Sequence, residues 1–298
     1  MAKVFFTKEI SPEGLQKAYE SLDVDLRGKI GVKVSTGEKG AKNYLKADLI
    51  GPFVKSLGGT IVECNTAYPG ARNKAKEHLK VAEEHGFTSF ADVDIMDADG
   101  EIKIPVHRGK HLKYDLIGKN FDNYDSFINL AHAKGHMMGG FGANLKNQSI
   151  GFASRKGKAY IHSCGHTKSP LLCWRDKHEQ IDFIESMAEA ATAVADYANE
   201  RSKQLIYITV MNAISTSCDC DSEQDDPVMP DLGIIASMDP VANDQAFIDM
   251  VWKYASEHPD DTGAIALIER IDSRLGREIL PYAESLGLGS REYELIEL

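Results

Sequence analysis

A strand, a helix and a second strand follow one another closely near the N-terminus, and this arrangement constrains the fold more than any other feature. Residues 29–34 alternate charged and apolar side chains, residues 46–57 fit a helix that ends at Gly58-Gly59, and residues 60–64 are rich in β-branched residues. Such spacing predicts a βαβ unit, in which the two strands are parallel. We therefore expect an α/β fold with a mixed, largely parallel central sheet flanked by helices.

The rest of the chain continues the alternation of helices and strands. Helices are expected at residues 11–22, 73–85, 144–153, 179–200, 244–256 and across 259–298. Strands are expected at residues 92–96 and 102–106 around an Asp99-Gly100 turn, and at 112–117, 127–131, 157–162, 205–211 and 232–236. No internal repeat or clear linker interrupts this pattern. One compact domain over residues 1–298 is the simplest interpretation, and a split into two lobes near residues 170–180 is the alternative.

The charge balance excludes several classes of partner. The chain of 298 residues has a formal net charge of −11, whereas binding to nucleic acid or to an acidic membrane surface rests on a basic footprint. No apolar run approaches the roughly 20 residues of a membrane span, and the N-terminus lacks the apolar segment of a signal peptide. We therefore expect a cytoplasmic protein with no nucleic-acid or membrane partner. The five cysteines are an odd number, so reduced thiols are expected rather than a disulfide framework.

Two pairs of histidines share the same spacing. His132 and His136 are four residues apart, and so are His162 and His166, with Cys164 between the second pair. On a helix this spacing can chelate one metal ion, but the glycines after His136 favour a loop that places both imidazoles near one point. Hydrogen-bonded structural or surface histidines are the alternative. All four histidines are candidate metal ligands, and His136 is also a candidate catalytic residue.

A cluster of cysteines and aspartates follows the strand expected at residues 205–211. Cys218-Asp219-Cys220 combines thiolates, which suit zinc, copper(I) or iron–sulfur chemistry, with a carboxylate, which suits harder ions. Two cysteines cannot complete a tetrahedral site, so further ligands must come from elsewhere in the chain. The spacing matches neither a bacterial ferredoxin nor a calcium loop. Two buried thiols beside a capping carboxylate are the alternative interpretation.

A glycine-rich stretch lies between the first histidine pair and the helix expected at 144–153. Its backbone N–H groups can approach an anion at the start of that helix, although the pattern is neither a P-loop nor a dinucleotide-binding fingerprint. The lysines on either side can hold an anionic substrate or transfer a proton, and tight turns and surface charges are the alternative. The candidates are catalytic Lys134 and Lys146 and substrate-binding Gly139, Gly140, Gly142 and Asn147.

A smaller polar set follows the strand expected at residues 60–64. Asn65, Tyr68 and Arg72 lie where ligands bind in open α/β sheets, at the carboxyl end of a parallel strand. The tyrosine and the arginine can orient a substrate, the arginine through a bidentate contact. A capped turn is the alternative. These three residues are further candidates for substrate binding.

Six motifs follow one another along nearly the whole chain, namely Lys33 to Glu38, Glu63 to Tyr68, Asp94 to Asp97, His132 to Asn147, Cys218 to Asp221 and Ser237 to Ala242. In this order they resemble the motifs of the domain-of-unknown-function 362 family. The resemblance implies an iron–sulfur centre, because members are often described in this way, and it agrees with the candidates at His132, Lys134, His136, Lys146, Asn147, Cys218 and Cys220. Many members carry a ferredoxin-like cysteine motif before the long helix. This chain departs from them, since residues 167–177 contain one cysteine, and Ser217 replaces an expected acidic residue.

Three functional hypotheses follow from these residues. The first is a cytoplasmic metalloprotein, favoured as an enzyme, in which histidine and cysteine hold a metal ion or an iron–sulfur cluster and a lysine binds a small anionic substrate. The second is a non-catalytic iron–sulfur or redox electron carrier with a redox partner. The third is a metal-free binding module for a phosphorylated or carboxylated metabolite. The sequence is compatible with a homo-oligomer and does not determine the metal.

Overall fold

The computed structural model describes residues 1–175 and 178–298. Within these residues the strands, numbered β1 to β12 in chain order, are Ala2–Thr7, Ile30–Lys33, Thr60–Glu63, Val93–Ile95, Glu101–Pro105, Tyr114–Gly118, Ser126–His132, Lys134–His136, Gly140–Gly142, Gln204–Met211, Gly233–Ser237 and Tyr293–Glu297. The helices, numbered α1 to α9, are Pro12–Glu20, Ala47–Ser56, Ala75–Glu84, Asn144–Phe152, Arg155–His162, Gln180–Glu200, Pro240–Glu257, Thr262–Ser273 and Ile279–Ser285.

A mixed sheet of eight strands organises the molecule, in the order β12-β1-β11-β10-β7-β2-β3-β4. Only β11 runs antiparallel to its two neighbours among these described strands, and every other neighbouring pair is parallel. In the centre, Ile128 of β7 lies opposite Val32 of β2 and Ile206 of β10. The prediction of an α/β fold with a largely parallel sheet and a single domain is therefore confirmed.

Helices cover both faces of this sheet. On one face, alternate residues of the central strands, such as Ile128 and Ile208, pack with Leu15 of α1 and Phe53 of α2. On the other face α4 and α7 pack against β7 and β10, and α6 packs against α4. Residues of the strands that point to this second face include polar side chains. The site described below lies at the carboxyl end of this second face.

The structure differs from the predicted elements at residues 157–162, which form part of α5 rather than a strand. Ser154 caps this helix, because its hydroxyl accepts a hydrogen bond from Gly157 N. The apolar residues Ala159 to Ile161 form a run too short to distinguish strand from helix periodicity. The cap at Ser154 favours the helix. The stretch from Lys134 to Gly142, expected as a loop, contains the hairpin of β8 and β9.

The strands predicted on either side of the Asp99-Gly100 turn are confirmed as β4 and β5, of which β4 pairs with β3 in the main sheet and β5 pairs with β6 in a separate ribbon. One further prediction of secondary structure was wrong. The C-terminal residues 293–297, expected as helix, form β12, which pairs with β1. Its partner strand is distant in sequence, so local pattern could not select it. The alternative boundary between two lobes, at residues 170–180, includes Asp176 and Lys177, which lie outside the described residues.

The order of the strands creates a crevice at one edge of the sheet. From β2 the chain passes to β3 on one side, whereas from β7 it passes to β10 on the other side. Ligands of open α/β sheets bind at the carboxyl ends of the strands where the order diverges in this way. Lys33, Glu63 and His132 are the last residues of β2, β3 and β7 and therefore lie at this crevice. In the described parts of the chain, no helix combines the length and apolar character needed to cross a membrane.

Candidate functional site

A cavity of about 810 Å³ opens at this crevice. Three sets of side chains in its lining matter for function. They are two cysteines with a histidine, a group of cations, and a group of apolar residues. These are His136, Cys218 and Cys220 in the first set, Lys33, Lys39, Arg72, Lys146 and Lys158 in the second, and Met137, Met138 and Trp174 in the third. The cavity thus joins candidates that are far apart in the sequence.

The first set forms a compact group of ligand atoms. One ring nitrogen of His136 and the sulfur atoms of Cys218 and Cys220 all lie within 4.8 Å of one another. The hairpin that carries His136 reaches the cysteine loop because Gly135 N donates to Ser215 O at 2.7 Å. A Cβ atom on Gly135 would lie 2.6 Å from Thr216 O, so only glycine permits this approach.

The two cysteines form a disulfide in this structure. This pairing differs from the reduced thiols expected for all five cysteines. Proximity explains it, because the loop places residues 218 and 220 with their Cα atoms 5.2 Å apart, within the usual range for a disulfide. A metal ion would need both sulfur atoms as thiolates, so the pair must be reduced before it can serve as a ligand.

The hydrogen bonds of His136 select its neutral form and its tautomer. Its Nδ1 accepts hydrogen bonds from Gly139 N at 2.8 Å and from Met138 N at 3.2 Å, so the neutral ring carries its proton on Nε2. Burial, followed by the charge of Lys146, holds the pKa of His136 well below its usual range. Coordination through Nε2 would displace that proton, and coordination through Nδ1 would replace the two backbone hydrogen bonds.

His132, Lys134 and Asp219 form a closed cluster beneath the cysteine loop. His132 Nδ1 lies 3.0 Å from Asp219 Oδ1 and its Nε2 lies 2.6 Å from Asn212 O, while Lys134 forms an ion pair with Asp219. Burial opposes ionisation of Asp219, but Lys134 and His132 outweigh it, so the pKa of that carboxyl lies below its usual range. Both nitrogens of His132 are engaged and Lys134 does not line the cavity among the described residues. Their predicted ligand and catalytic roles stay predictions.

Two carboxylates balance part of the cationic lining. Arg72 Nη1 lies 3.4 Å from Glu63 Oε1, and Arg72 Nε lies 3.6 Å from Glu38 Oε2. The Nη2 of Arg72 donates to the hydroxyl of Tyr68 at 3.1 Å. Lys33 Nζ lies 3.9 Å from Glu63 Oε1, and burial lowers the pKa of Lys33 to about 8 although Glu63 raises it. Burial also disfavours ionised Glu63, but Arg72 and His78 hold its pKa well below its usual range.

Lys146 and Lys158 have no such carboxylate partner. Lys158 Nζ donates to Ala153 O at 2.6 Å and lies 3.5 Å from Cys64 O. Among the described residues, neither lysine forms an ion pair within 4.0 Å. Burial, followed by the charge of Lys134, lowers the pKa of Lys146 to about 7. Lys146 is therefore present in both protonation states near neutral pH.

Asn147 connects the cations to the sheet. Its Oδ1 accepts a hydrogen bond from Lys33 Nζ at 3.2 Å, and its Nδ2 donates to Asn129 Oδ1 at 2.7 Å and to Lys33 O at 3.1 Å. These partners determine the orientation of the amide, with its oxygen towards Lys33. Asn147 and Lys146 are neighbours in α4, so the same helix presents both to the cavity.

The predicted glycine loop has a different environment from the one expected. Asp244 accepts hydrogen bonds from Asn144 N at 2.8 Å and from Leu145 N at 2.9 Å, so a carboxylate of the protein already occupies the start of α4. Gly139, Gly140 and Gly142 do not line the cavity formed by the described residues. A Cβ atom on Gly140, with φ at +77°, would lie 2.7 Å from Gly276 Cα, so close packing accounts for this glycine.

The remaining predicted residues divide between the cavity and its surroundings. His162 lines the cavity, and its Nδ1–H donates to Lys158 O at 2.6 Å while burial lowers its pKa to about 4, so its Nε2 is an acceptor. His166 is exposed and lies outside the cavity as the described residues form it. Asn65 is bound to Asp97 through its backbone N–H and its side chain, both at 2.8 Å.

Several residues of the cavity were absent from the sequence-based candidates. They are Lys33, Glu38, Glu63, Cys64 and Lys158. Lys33 and Glu63 could have been found, because each ends a strand that the sequence predicts, and the ends of parallel strands meet at one edge. Lys158 lies in the segment predicted as a strand. Because this segment is a helix, the prediction could not place Lys158 at the cavity.

The fold and the site define an α/β protein with a cationic cavity beside a cysteine–histidine group. The family model described as "Domain of unknown function (DUF362)" matches residues 30–249, and the chain belongs to this family. No curated protein matches the chain.

Two solved structures are similar to the chain at low identity. A protein from Thermotoga maritima has 11% identity and a TM-score of 0.42, covering 90% of this chain and 58% of that one. The lactate racemase apoprotein from Thermoanaerobacterium thermosaccharolyticum has 12% identity and a TM-score of 0.41, covering 70% of this chain and 50% of that one. The chain thus spans between half and three fifths of the length of these two proteins.

Proposed function

We propose that the protein is a metal-dependent enzyme that acts on a small anionic substrate. One observation carries this proposal, namely that His136, Cys218 and Cys220 line the same cavity as five cationic side chains. A metal group alone is compatible with a structural site, and lysines alone are compatible with a binding site. Their convergence on one cavity of about 810 Å³ is the arrangement that catalysis on an anion requires.

The donor atoms fit a borderline-soft metal ion. Two thiolates and one imidazole are a set of protein ligands found at catalytic zinc sites, where the fourth position is left for water or substrate. The ion would polarise a substrate oxygen as a Lewis acid. Cys218, Cys220 and His136 would hold it after reduction of the disulfide, and the predicted ligands His132, His162, His166 and Asp219 lie outside this group of described residues.

The cations supply binding and proton transfer. Lys158 and the charged form of Lys146 line the cavity and would hold the anionic part of the substrate. Lys146 has a pKa of about 7. The neutral amine of Lys146 would accept a proton from the substrate, and the charged ammonium would return it. Arg72 is engaged by two carboxylates, so its role is to hold those carboxylates in place.

The disulfide favours a second candidate function, a redox carrier. The Cys218–Cys220 disulfide would take up two electrons and two protons from a redox partner to become a dithiol, and would release them on reoxidation to the disulfide. An iron–sulfur cluster has less support, since such clusters usually take four cysteine ligands and the described group contains two. A metal-free binding module, the third alternative, would use the cationic lining alone.

Metal binding by the reduced protein tests the proposal. Anaerobic protein with reduced thiols should bind one equivalent of Zn²⁺, and Co²⁺ in its place should show a thiolate charge-transfer band. Both signals should disappear in the double variant Cys218→Ser, Cys220→Ser. They should persist in Cys64→Ser, which lines the same cavity outside the group and retains a donor to Phe152 O.

The alternatives give different results in the same experiment. Reversible two-electron titration of the cysteine pair without bound metal would support the redox carrier. Stoichiometric iron with a visible absorption band would support the iron–sulfur form. A reduced protein that binds no metal would remove the metal-dependent enzyme from consideration.

A further inference from the structure

The charges around the cavity do not balance. Arg72 is shared between Glu38 and Glu63, and Lys33 lies close enough to Glu63 to compensate the second carboxylate. These four side chains are all buried and together carry no net charge. The closed cluster of Lys134 and Asp219 beneath the cysteine loop is likewise neutral.

Two cations therefore remain without compensation. Lys158 is buried and has only carbonyl oxygens as partners, and Lys146 has no hydrogen-bond acceptor among the described residues. At the mouth, Lys39 pairs with Glu84 at 3.5 Å. Asp221, which also lies at the mouth, accepts a hydrogen bond from Glu223 N and is partly exposed, so water screens its charge.

Lys158 is buried and Lys146 is half-buried, so both uncompensated charges are unfavourable unless a ligand supplies the opposite charge. A ligand with one negative charge would compensate one lysine and leave the other in the same environment. A ligand with two negative charges would compensate both. The number of unpaired lysines thus indicates the charge of the ligand.

The mouth of the cavity indicates that the ligand is organic. Met137 and Trp174 line it and are 51% and 41% exposed, which is high for large apolar side chains. The volume of about 810 Å³ also exceeds what an inorganic anion fills. An apolar part of the ligand would cover these two side chains while its anionic part lies further in.

We propose that this cavity binds a small organic dianion, a phosphate monoester or a dicarboxylate, through Lys146 and Lys158, with the apolar part of the ligand against Met137 and Trp174. The inference rests on the anionic substrate of the proposed function and specifies its charge and shape. It does not depend on the metal, because neither lysine belongs to the cysteine–histidine group.

Matched ligands test the number of charges. Binding of phenyl phosphate would be compared with that of its monoanionic methyl ester, and binding of phenylmalonate with that of phenylacetate, by calorimetry at pH 7. We expect each dianion to bind at least about tenfold more tightly than its monoanionic counterpart. The stronger of the two dianions identifies the phosphate or the dicarboxylate as the preferred group.

Variants test the two lysines. Lys146→Met and Lys158→Met should each lower the affinity for the preferred dianion by at least about tenfold and bring it close to that of the monoanion. Lys158→Arg retains the charge and should retain most of the preference. Lys253→Met removes an exposed lysine of α7 and should change nothing. Circular dichroism would establish that each variant is folded.

Equal affinity for dianions and monoanions would overturn the inference, and so would an unchanged preference in both methionine variants. The measurements use the metal-free, oxidised protein. A failure to bind metal in the earlier experiment would therefore leave this result intact. Conversely, stoichiometric metal binding without any preference for dianions would refute only the present inference.

Discussion

Lys134 and Lys146 have a similar sequence context but differ in their ionic partners. Both flank the same glycine-rich hairpin, and the Cβ position of Gly142 is 3.9 Å from a side-chain atom of each. Burial lowers the pKa of Lys134, and its ion pair with Asp219 opposes that shift. Lys146 lacks an ion pair among the described residues, and burial lowers its pKa to about 7. Lys146 is therefore able to exchange a proton near neutral pH.

The affinity for anions should fall as the pH rises. Lys146 and Lys33 have pKa values lowered to about 7 and about 8, so each is charged below that pH and neutral above it. Sulfate keeps its charge throughout, and its affinity should decrease by roughly tenfold or more between pH 6 and pH 9, as proton linkage requires. Lys146→Arg, which stays charged, should show a weaker dependence. Calorimetry at constant ionic strength would measure it, and a flat profile would contradict the prediction.

Asp115 should make the protein less stable as the pH rises. Its Oδ2 is buried without a hydrogen-bond partner, and burial raises its pKa to about 7, although its hydrogen bond from Leu116 N lowers it. A raised pKa means that the native state retains the proton more strongly, so stability is highest below pH 4 for this group and is lost as the pH rises to about 7. This contribution is roughly 2 kcal/mol or more.

The variant Asp115→Asn cannot ionise and should avoid that loss. Relative to the native protein, its free energy of unfolding should be higher at pH 8 than at pH 5 by roughly 2 kcal/mol. Urea unfolding at both pH values would measure this difference. Asp260→Asn, at an exposed position, is the matched control and should show no such change. A difference that does not depend on pH would indicate that Asp115 is ionised throughout.

At the scale of elements, α4 links the sheet to the cavity. Its residues Asn144 and Asn147 bind polar side chains of the strands, since Asn144 Nδ2 donates to Thr209 Oγ1 at 2.6 Å and Asn147 Nδ2 donates to Asn129 Oδ1 at 2.7 Å. From the other side, Asp244 of α7 caps its first two N–H groups. A buried polar network of this kind specifies one position for the helix, and with it the position of Lys146.

Removal of the cap should displace α4. Asp244→Ala leaves two buried backbone N–H groups without acceptors, so we expect a loss of about 2–4 kcal/mol in the free energy of unfolding. Affinity for the dianion should fall as well, because Lys146 lies in the first turn of the helix. Denaturant titration and calorimetry would measure the two effects. Asp260→Ala should change neither, and an unchanged stability of Asp244→Ala would show that water satisfies the helix end.

At the scale of the whole molecule, a protein with a net charge of −11 concentrates positive charge in one cavity. The acidic surface repels anions in general, whereas the cavity attracts those small enough to enter. This contrast favours discrete metabolites over polyanions such as nucleic acid. The anionic ligand proposed above would compensate the charges of Lys146 and Lys158.

Anion binding should therefore raise the unfolding temperature. At a concentration one hundred times its dissociation constant, a ligand that binds only the native state adds about 2.7 kcal/mol. Phenyl phosphate should produce such a shift in a calorimetric scan, and sodium chloride of equal ionic strength should not. The double variant Lys146→Met, Lys158→Met should be insensitive to the ligand. An equal shift in native protein and variant would indicate binding elsewhere.

Local pattern explains why much of the fold was predictable. The helix at 179–200 and the strands at 60–64 and 205–211 have periodicity or β-branched content that is encoded within the segment itself. Residues 157–162 were ambiguous, because a short apolar run fits both periods, and Ser154 resolved the ambiguity through its cap. Strand β12 pairs with β1 at the other end of the chain, so β12 could not be inferred from its own residues.

The sequence by itself determined the α/β class and the largely parallel sheet, and it placed polar residues at the ends of predicted strands, because period and turn residues act over short distances. The tertiary structure alone decided which side chains share the cavity. Lys33 meets Asn147 across 114 residues, and Lys134 meets Asp219 across 85. Whether a lysine is paired or unpaired depends on such distant partners, and charge and pKa follow from that pairing. The two lysines proposed to bind the dianion could be distinguished from the others only after the fold had placed every carboxylate.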